Sequence, residues 1–359
     1  MTKLISTHWG TYEVHENKQK DITLSNWVKD PSPTEFGLGL IEAAKDKLRI
    51  NQPYIRKGWL ENNNRSDNKR GRDEFIPVSW DKALSLAAES LEETKLKYKN
   101  SSIFAGSYGW ASAGRFHHAK SHINRFFNCF GGFTSSYQSY SYAAAQTLLP
   151  HVIGMDLYST LEDHTTWESL SKKCELILMF GGMPLKNAKV SSGGVGKHSV
   201  EKGMKECVNN GIKFINISPL KSDAPAFLNA QQIFIRPNTD TALMLCLAFI
   251  LVTKDKYDKN FIDKYTVGFE EFKKYLLGEK NNPACTPEWC SEITKIPVNI
   301  INNLADEIAN KKTLISMSWS LQRASRGEQP LWSGITLASM LGYIGTAEGG
   351  FGFGYSAVN

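Results

Sequence analysis

The sequence has few cysteines, and none is placed as a metal centre requires. Six occur in 359 residues, no two are spaced as CxxC, and the first is Cys129. Iron–sulfur and structural zinc sites need clustered thiolates, so the pattern argues against both. Four cysteines lie in apolar periodic segments and are predicted to be small core residues: Cys129, Cys174, Cys207 and Cys246. This usage fits a reducing compartment.

Long apolar runs and runs of like charge are also missing. The longest apolar stretch, residues 242–252, is too short to cross a bilayer, and residues 1–10 contain neither an apolar leader core nor an arginine pair. We therefore expect no membrane span and a cytoplasmic location, with a periplasmic location as the alternative if a leader is missing from this chain. The net charge of +6 comes from scattered basic residues, so no nucleic-acid partner is expected.

The motifs of common hydrolases and nucleotide enzymes are absent. GxSxG, HExxH, GxxxxGK[ST] and GxGxxG do not occur, which argues against α/β-hydrolases, zinc proteases, P-loop NTPases and ordinary NAD-dependent dehydrogenases. An unrelated Rossmann-type dehydrogenase stays open as a weaker alternative, and failure to bind NAD would exclude it.

From residue 174 onward the sequence alternates between buried strands and helices. Strands are predicted at 176–180, 213–217, 233–235 and 314–317, and helices near 200–208, 240–253 and 329–343. This alternation predicts an α/β fold with a parallel, doubly wound sheet. A further helix is predicted over 80–98 after the N-cap Ser79, whereas residues 1–60 show no strong period and are predicted to be irregular.

Three segments leave the carboxyl ends of predicted strands, where ligands bind in sheets of this kind. They are Gly182–Asn187, Asn216–Asp223 and Pro237–Asp240. Each supplies free backbone N–H groups and short polar side chains, as a nucleotide needs. Many such turns look alike, so each segment alone is a weak signal.

Two other segments combine aromatic and hydroxyl side chains with small residues. They are Tyr108–Ser112 and Ser139–Tyr142. Taken alone, they predict core aromatics beside a turn.

Together, these motifs resemble the dimethyl sulfoxide reductase family of molybdenum enzymes. The matching segments are Ser107–Trp110 with Ser112, Gly114, Arg115 and His117; Gly131 and Gly132 followed by Tyr140, Ser141, Ala144–Gln146 and Pro150–Gly154; Pro184–Lys186; Pro237–Leu245; Gln322, Arg323 and Gly327–Gln329; and Leu337–Thr346 with Gly349–Gly352. The resemblance spans nearly the whole chain in one register, so it is far more specific than any single motif.

The resemblance implies a domain organisation. Residues 1–60 would be a small irregular region, residues 61–150 and about 310–359 an α/β domain that carries the molybdenum site, and residues 151–309 a Rossmann-like domain that binds pterin guanine dinucleotide. Family members continue into a C-terminal β-barrel-like domain, which the resemblance leads us to expect to be missing here. We therefore expect the N-terminal half of such an enzyme, and a separate C-terminal chain is one way to complete it.

The resemblance also implies the cofactor, Mo-bis(molybdopterin guanine dinucleotide) without an iron–sulfur cluster, and the residues that bind it. Ser141 would be the metal ligand, as the alkoxide, and Tyr108 and Trp110 would donate hydrogen bonds to the substrate oxygen. The residues expected to contact the pterin and nucleotide parts are Tyr108, Gly109, Trp110, Ala111, Ser112, Lys186, Asn187, Asn216, Ile217, Asn238, Thr239, Asp240, Leu321, Gln322 and Ser325.

The implied activity is oxygen-atom transfer from a small S-oxide or N-oxide, such as biotin sulfoxide, methionine sulfoxide, dimethyl sulfoxide or trimethylamine N-oxide. Tyr108 favours S-oxides, since the trimethylamine N-oxide enzymes lack a tyrosine there. Electrons would come from a thioredoxin-like protein or a c-type cytochrome. The alternative is a truncated, non-catalytic remnant of such an enzyme.

Two departures from the family pattern stand out. The usual Asp-Tyr-Ser-Thr is Ser139–Tyr142 here, so an extra aromatic ring follows Ser141 and a carboxylate is lost. The Asn-Pro or Asp-Pro that commonly follows the nucleotide strand is Met183–Pro184.

Overall fold

The computed structural model describes residues 3–62, 71–107, 118–191 and 193–357. These residues form two compact units. The first contains residues 1–27, 34–137 and 192–194, and the second contains residues 28–33, 138–191 and 195–359.

The first unit begins with a three-stranded antiparallel sheet. Its strands are β1 (Lys3–Thr7), β2 (Gly10–Glu16) and β3 (Ile22–Asn26), in the order β1-β2-β3. This differs from the irregular region predicted for residues 1–60, because the strands are short and largely polar and leave no long apolar run to detect. The buried Tyr12 anchors the sheet: its hydroxyl donates to the Thr34 carbonyl at 2.8 Å and accepts from the Gly37 N–H at 3.1 Å.

The rest of the first unit is mainly helical. It contains α1 (Leu40–Lys45), β4 (Tyr54–Arg56), α2 (Lys57–Asn62), β5 (Phe75–Pro77), α3 (Trp80–Tyr98) and α4 (Ala119–Cys129). The prediction of α3 is confirmed, and the Ser79 hydroxyl caps it by accepting from the Lys82 N–H at 3.2 Å. The predicted core position of Cys129 is wrong: it is exposed at the end of α4, a helix without buried residues.

The second unit is built on a five-stranded parallel sheet. Its strands are β6 (Leu176–Phe180), β7 (Lys213–Ile217), β8 (Gln231–Ile233), β9 (Thr313–Met317) and β10 (Gly350–Phe353), in the order β10-β9-β6-β7-β8. Leu178 pairs with Ile215 on one side and Ile315 on the other. The chain is therefore a mixed α/β protein with a parallel sheet, as predicted, although β8 ends at Ile233 and not at residue 235.

Helices cover both faces of this sheet. They are α5 (Ala143–Val152), α6 (Leu157–Glu162), α7 (Trp167–Lys173), α8 (Val200–Asn209), α9 (Asp240–Thr253), α10 (Lys259–Tyr265), α11 (Phe269–Leu276), α12 (Pro287–Thr294), α13 (Val298–Ala309) and α14 (Glu328–Leu341). Leu176, Leu178 and Phe180 join the core that contains α9, α13 and α14. Ile177 and Met179 join a second core with α7 and α8. The alternation follows from the two-residue period of a strand.

Two details of the second unit concern proline and glycine. Helix α5 continues through Pro150 to Val152, because Pro150 lies in the last turn and removes only one backbone donor. The glycine-rich segment Gly350–Phe353 forms β10 beside β9. Gly352 has a structural role there, because a Cβ at this position would meet the Tyr355 ring at 1.9 Å.

The sheet joins strands that are distant in sequence. Strands β9 and β10 come from residues after 310 and pair in one sheet with β6 and β7. Residues 138–150 belong to the same unit. The division into domains at residues 150 and 310 stays a prediction.

Within the part of the chain that is described, no helix is long and apolar enough to cross a bilayer.

Candidate functional site

The carboxyl ends of the parallel strands bring several loops to one edge of the sheet. Hydrogen bonds continue the ladder beyond the strands: Gly181 N–H donates to the Ile217 carbonyl at 2.9 Å, and Ser318 N–H donates to the Phe180 carbonyl at 2.9 Å. The loops that follow β6, β7 and β9 therefore leave the sheet side by side. This is the place where parallel α/β sheets bind ligands.

The loop after β6 approaches the loop after β7 closely. Gly182 has φ +73°, and a Cβ there would lie 2.5 Å from the Asp223 carbonyl oxygen. The next N–H, of Met183, donates to that same oxygen at 2.8 Å. Two of the predicted binding residues, Lys186 and Asn187, follow this contact with exposed side chains.

Asn216 and Ile217 end strand β7 and differ in what they can offer a ligand. The Asn216 side chain is fully buried, and its Nδ2 donates to Gln232 Oε1 at 2.7 Å. Its Oδ1 is a buried acceptor without a partner among the described residues. The Ile217 side chain lies in the hydrophobic core, so only its backbone is left for a role in binding.

Asn238, Thr239 and Asp240 connect β8 to α9. Asn238 is exposed in the left-handed region at φ +66°, and the Thr239 hydroxyl donates to the Arg236 carbonyl at 2.7 Å. Asp240, the first residue of α9, is buried, and this burial raises the pKa of its carboxyl to about 6. A buried acid at a helix start suits a ligand that presents N–H donors.

Ser141 lies on the turn before α5, which is held against the loop after β9. Arg323 Nε donates to the Ser141 carbonyl at 3.3 Å, and the Ala145 N–H donates to Gln322 Oε1 at 3.0 Å. Gln322 thereby caps the first turn of α5 from a distant part of the chain. The structure thus brings together Ser141 and Gln322, which were predicted separately.

Two buried donors in this loop have no partner among the described residues. They are Gln322 Nε2 and Trp319 Nε1. Gln322 Oε1 accepts from the Ala145 N–H, so Nε2 is the part of the Gln322 amide that has no partner among the described residues. Unpaired buried donors are costly, and a polar ligand with acceptor atoms, such as a pterin, would satisfy them. The described residues therefore fit a pterin at this edge. Of the neighbours predicted with Gln322, Leu321 is half-buried and Ser325 is exposed.

Tyr108, Gly109, Trp110, Ala111 and Ser112 all lie outside the described residues.

Sequence reasoning did not name Trp319, Asp223 or Arg323 as site residues, although Asp223 and Arg323 lie in segments that it had identified. Trp319 is the second residue after β9, and this position could have drawn attention to it, because loops after buried strands are where ligands bind in such sheets. The contacts of Asp223 and Arg323 depend on pairing between distant segments, which no local pattern shows. A cavity of about 780 Å³ among α6, α7 and α8 is lined by none of the described site residues, so volume alone does not locate the site.

The chain matches one family model and several curated proteins. The family model described as molybdopterin oxidoreductase matches residues 49–357. The chain is 39% identical over 333 residues to a biotin sulfoxide reductase of Cereibacter sphaeroides, covering 92% of this chain and 45% of that protein. It is 35% identical to a dimethyl sulfoxide/trimethylamine N-oxide reductase of Rhodobacter capsulatus, covering 99% of this chain and 43% of that protein.

The fold is also similar to a solved structure. Acetylene hydratase from Pelobacter acetylenicus superposes with a TM-score of 0.64 at 19% identity, over 96% of this chain and 44% of that one. The chain spans less than half the length of the curated relatives it matches.

Proposed function

The chain belongs to the molybdopterin oxidoreductase family, and we propose that it supplies the Mo-bis(molybdopterin guanine dinucleotide) site of a reductase of small S-oxides or N-oxides. The observation that carries the proposal is the junction of Ser141 with Gln322, beside the buried, unpaired donors of the loop after β9. When bound, the cofactor supplies oxygen-atom transfer and two-electron chemistry.

The proposed tasks of the residues follow their chemistry. Ser141 would hold the metal through its deprotonated hydroxyl. Gln322 would donate to the pterin through Nε2, with Leu321 and Ser325 beside it. Lys186 would place a cation near the phosphates of the nucleotide. The remaining nucleotide contacts would come from Ser112, Asn187, Asn216, Ile217 (through its backbone), Asn238, Thr239 and Asp240.

Substrate recognition is assigned to the segment around Tyr108. The Tyr108 O–H and the Trp110 N–H would donate hydrogen bonds to the oxygen of the substrate, and their rings would exclude water and contact its apolar substituents. Such a pocket suits a neutral S-oxide, for which biotin sulfoxide and methionine sulfoxide are the candidates to assay first. We propose a thioredoxin-like protein or a c-type cytochrome as electron donor.

Replacing Tyr108 with Phe in the full-length protein should change the preference between S-oxide and N-oxide. Loss of one hydrogen bond to a polar substrate is expected to change kcat/KM by about tenfold for the oxide that depends on it. The ratio of kcat/KM for methionine sulfoxide to that for trimethylamine N-oxide, measured with a reduced viologen dye, is the readout.

The exposed Tyr137, replaced in the same way, provides the control and should leave this ratio as it is. An unchanged ratio in the Tyr108→Phe variant would remove Tyr108 from the argument about the substrate.

A further inference from the structure

Tyr142 stands where the family pattern has a threonine, directly after Ser141. It is the N-cap residue of α5, but no side-chain cap hydrogen bond is made there. A threonine hydroxyl can cap the first turn of a helix, whereas a phenol is too long to do so. The first turn of α5 is instead capped by Gln322, whose Oε1 accepts from the Ala145 N–H at 3.0 Å.

The Tyr142 ring packs against the loop that provides this cap. It meets the Trp319 ring edge-to-face, with centroids 5.0 Å apart and planes at 71°. It also meets the Tyr158 ring, with centroids 6.4 Å apart, and the two hydroxyls lie 3.5 Å apart. Trp319 in turn stacks on Phe353 of β10 at 6.1 Å. A chain of rings thus connects the Ser141 turn to the edge of the sheet.

Three contacts therefore join the turn that contains Ser141 to the loop after β9. They are the Arg323 contact at the Ser141 carbonyl, the Tyr142–Trp319 ring pair, and the Gln322 cap at Ala145. The first is an exposed hydrogen bond at 3.3 Å, and the third is a single hydrogen bond to a side chain. The ring pair contributes the apolar contact that keeps the two segments in register.

We propose that Tyr142 is a positioning residue that holds Ser141 and Gln322 in one fixed arrangement through its contact with Trp319. The inference rests on the proposed function, because Ser141 and Gln322 matter here as ligands of metal and pterin. Through this contact Tyr142 fixes the backbone next to Ser141, so that the spacing between Ser141 and Gln322 stays constant.

The test uses hydrogen exchange of the full-length protein. The Ala145 amide is the reporter, because its N–H donates to Gln322 Oε1 in the loop after β9. Tyr142→Ala should speed exchange in residues 143–146 by about two- to tenfold, the effect of losing one aromatic pair. Tyr142→Phe keeps the ring and should restore slow exchange. The matched control is Tyr257→Ala, which removes a ring packed on Phe269 at 4.9 Å and should leave residues 143–146 unchanged.

Unchanged exchange in Tyr142→Ala, or equal acceleration in Tyr257→Ala, would overturn the inference. X-ray absorption at molybdenum separates this outcome from failure of the proposed function. If the metal spectrum is the same in the native protein and in Ser141→Ala, the ligand assignment fails, and the inference fails with it. If Ser141→Ala changes the spectrum while Tyr142→Ala changes neither spectrum nor exchange, only the inference about Tyr142 fails.

Discussion

Ser141→Ala in the full-length protein is expected to lower the dye-linked reduction of S-oxides by at least about a hundredfold. Groups that only support a metal ligand change activity by about 10–100-fold when lost, so removal of the ligand itself should cost no less. The backbone contact from Arg323 to the Ser141 carbonyl does not involve the side chain and should persist. The variant is therefore expected to fold, and thermal unfolding is the measurement that verifies this.

A matched control distinguishes the loss of the ligand from the loss of any serine nearby. Ser135 is exposed and six residues away, and Ser135→Ala should keep native activity. Turnover in Ser141→Ala at the native rate would remove Ser141 from the metal site.

Asp240→Asn should stabilise the cofactor-free protein and weaken its hold on the nucleotide. Burial raises the pKa of Asp240 from 3.8 to about 6, so the folded protein binds this proton more tightly than the unfolded chain does. The contribution of Asp240 to the free energy of unfolding is then most favourable below pH 4, falls as the pH rises from about 4 to 6, and stays low above that range. The shift corresponds to a cost of about 3 kcal/mol at neutral pH, which a neutral amide would avoid.

The readout is urea unfolding of the cofactor-free protein at about pH 4 and pH 7.5. The native protein and Asp240→Asn should be similar at the lower pH, and the variant should be more stable at the higher one. The affinity of the variant for the guanine nucleotide should fall at least about tenfold, since hydrogen bonds to a charged acceptor are lost. The purified variant should therefore contain less guanine than the native protein.

Asp306 provides the control for Asp240. It is exposed, and hydrogen bonds from Lys254 and Lys256 lower its pKa, so Asp306→Asn should not increase stability at neutral pH. Equal stability of native protein and Asp240→Asn at both pH values would show that burial of the ionised Asp240 carboxylate does not destabilise the folded state.

Local sequence patterns predicted the central elements well. Strand β6 is a continuous apolar run, β7 is largely apolar, and α3 has a capping serine and a clear apolar period, so each is specified within its own segment. The loops after these strands could be expected at one edge, because parallel strands share a direction. Asn216 and Asp240 lie in segments that this reasoning singled out.

The remaining features depend on pairing between distant segments. The sequence of β1–β3 is short and polar, and β10 consists half of glycine, so neither shows a strand pattern until its partner is known. The capping of α5 by Gln322 joins residues 177 positions apart. The core location of Ile217 follows from helices packed on the sheet, so the sequence alone did not indicate that only the backbone of Ile217 is available to a ligand.

The central claim is that this chain holds a molybdenum pterin cofactor at the carboxyl edge of its parallel sheet. Its most direct test is elemental analysis of the purified full-length protein by mass spectrometry, with the released guanine nucleotide counted in the same sample. About one molybdenum and two guanines per chain are expected, as a bis-pterin guanine dinucleotide requires. Protein that folds and contains neither molybdenum nor guanine, after expression in cells able to make the cofactor, would contradict the account.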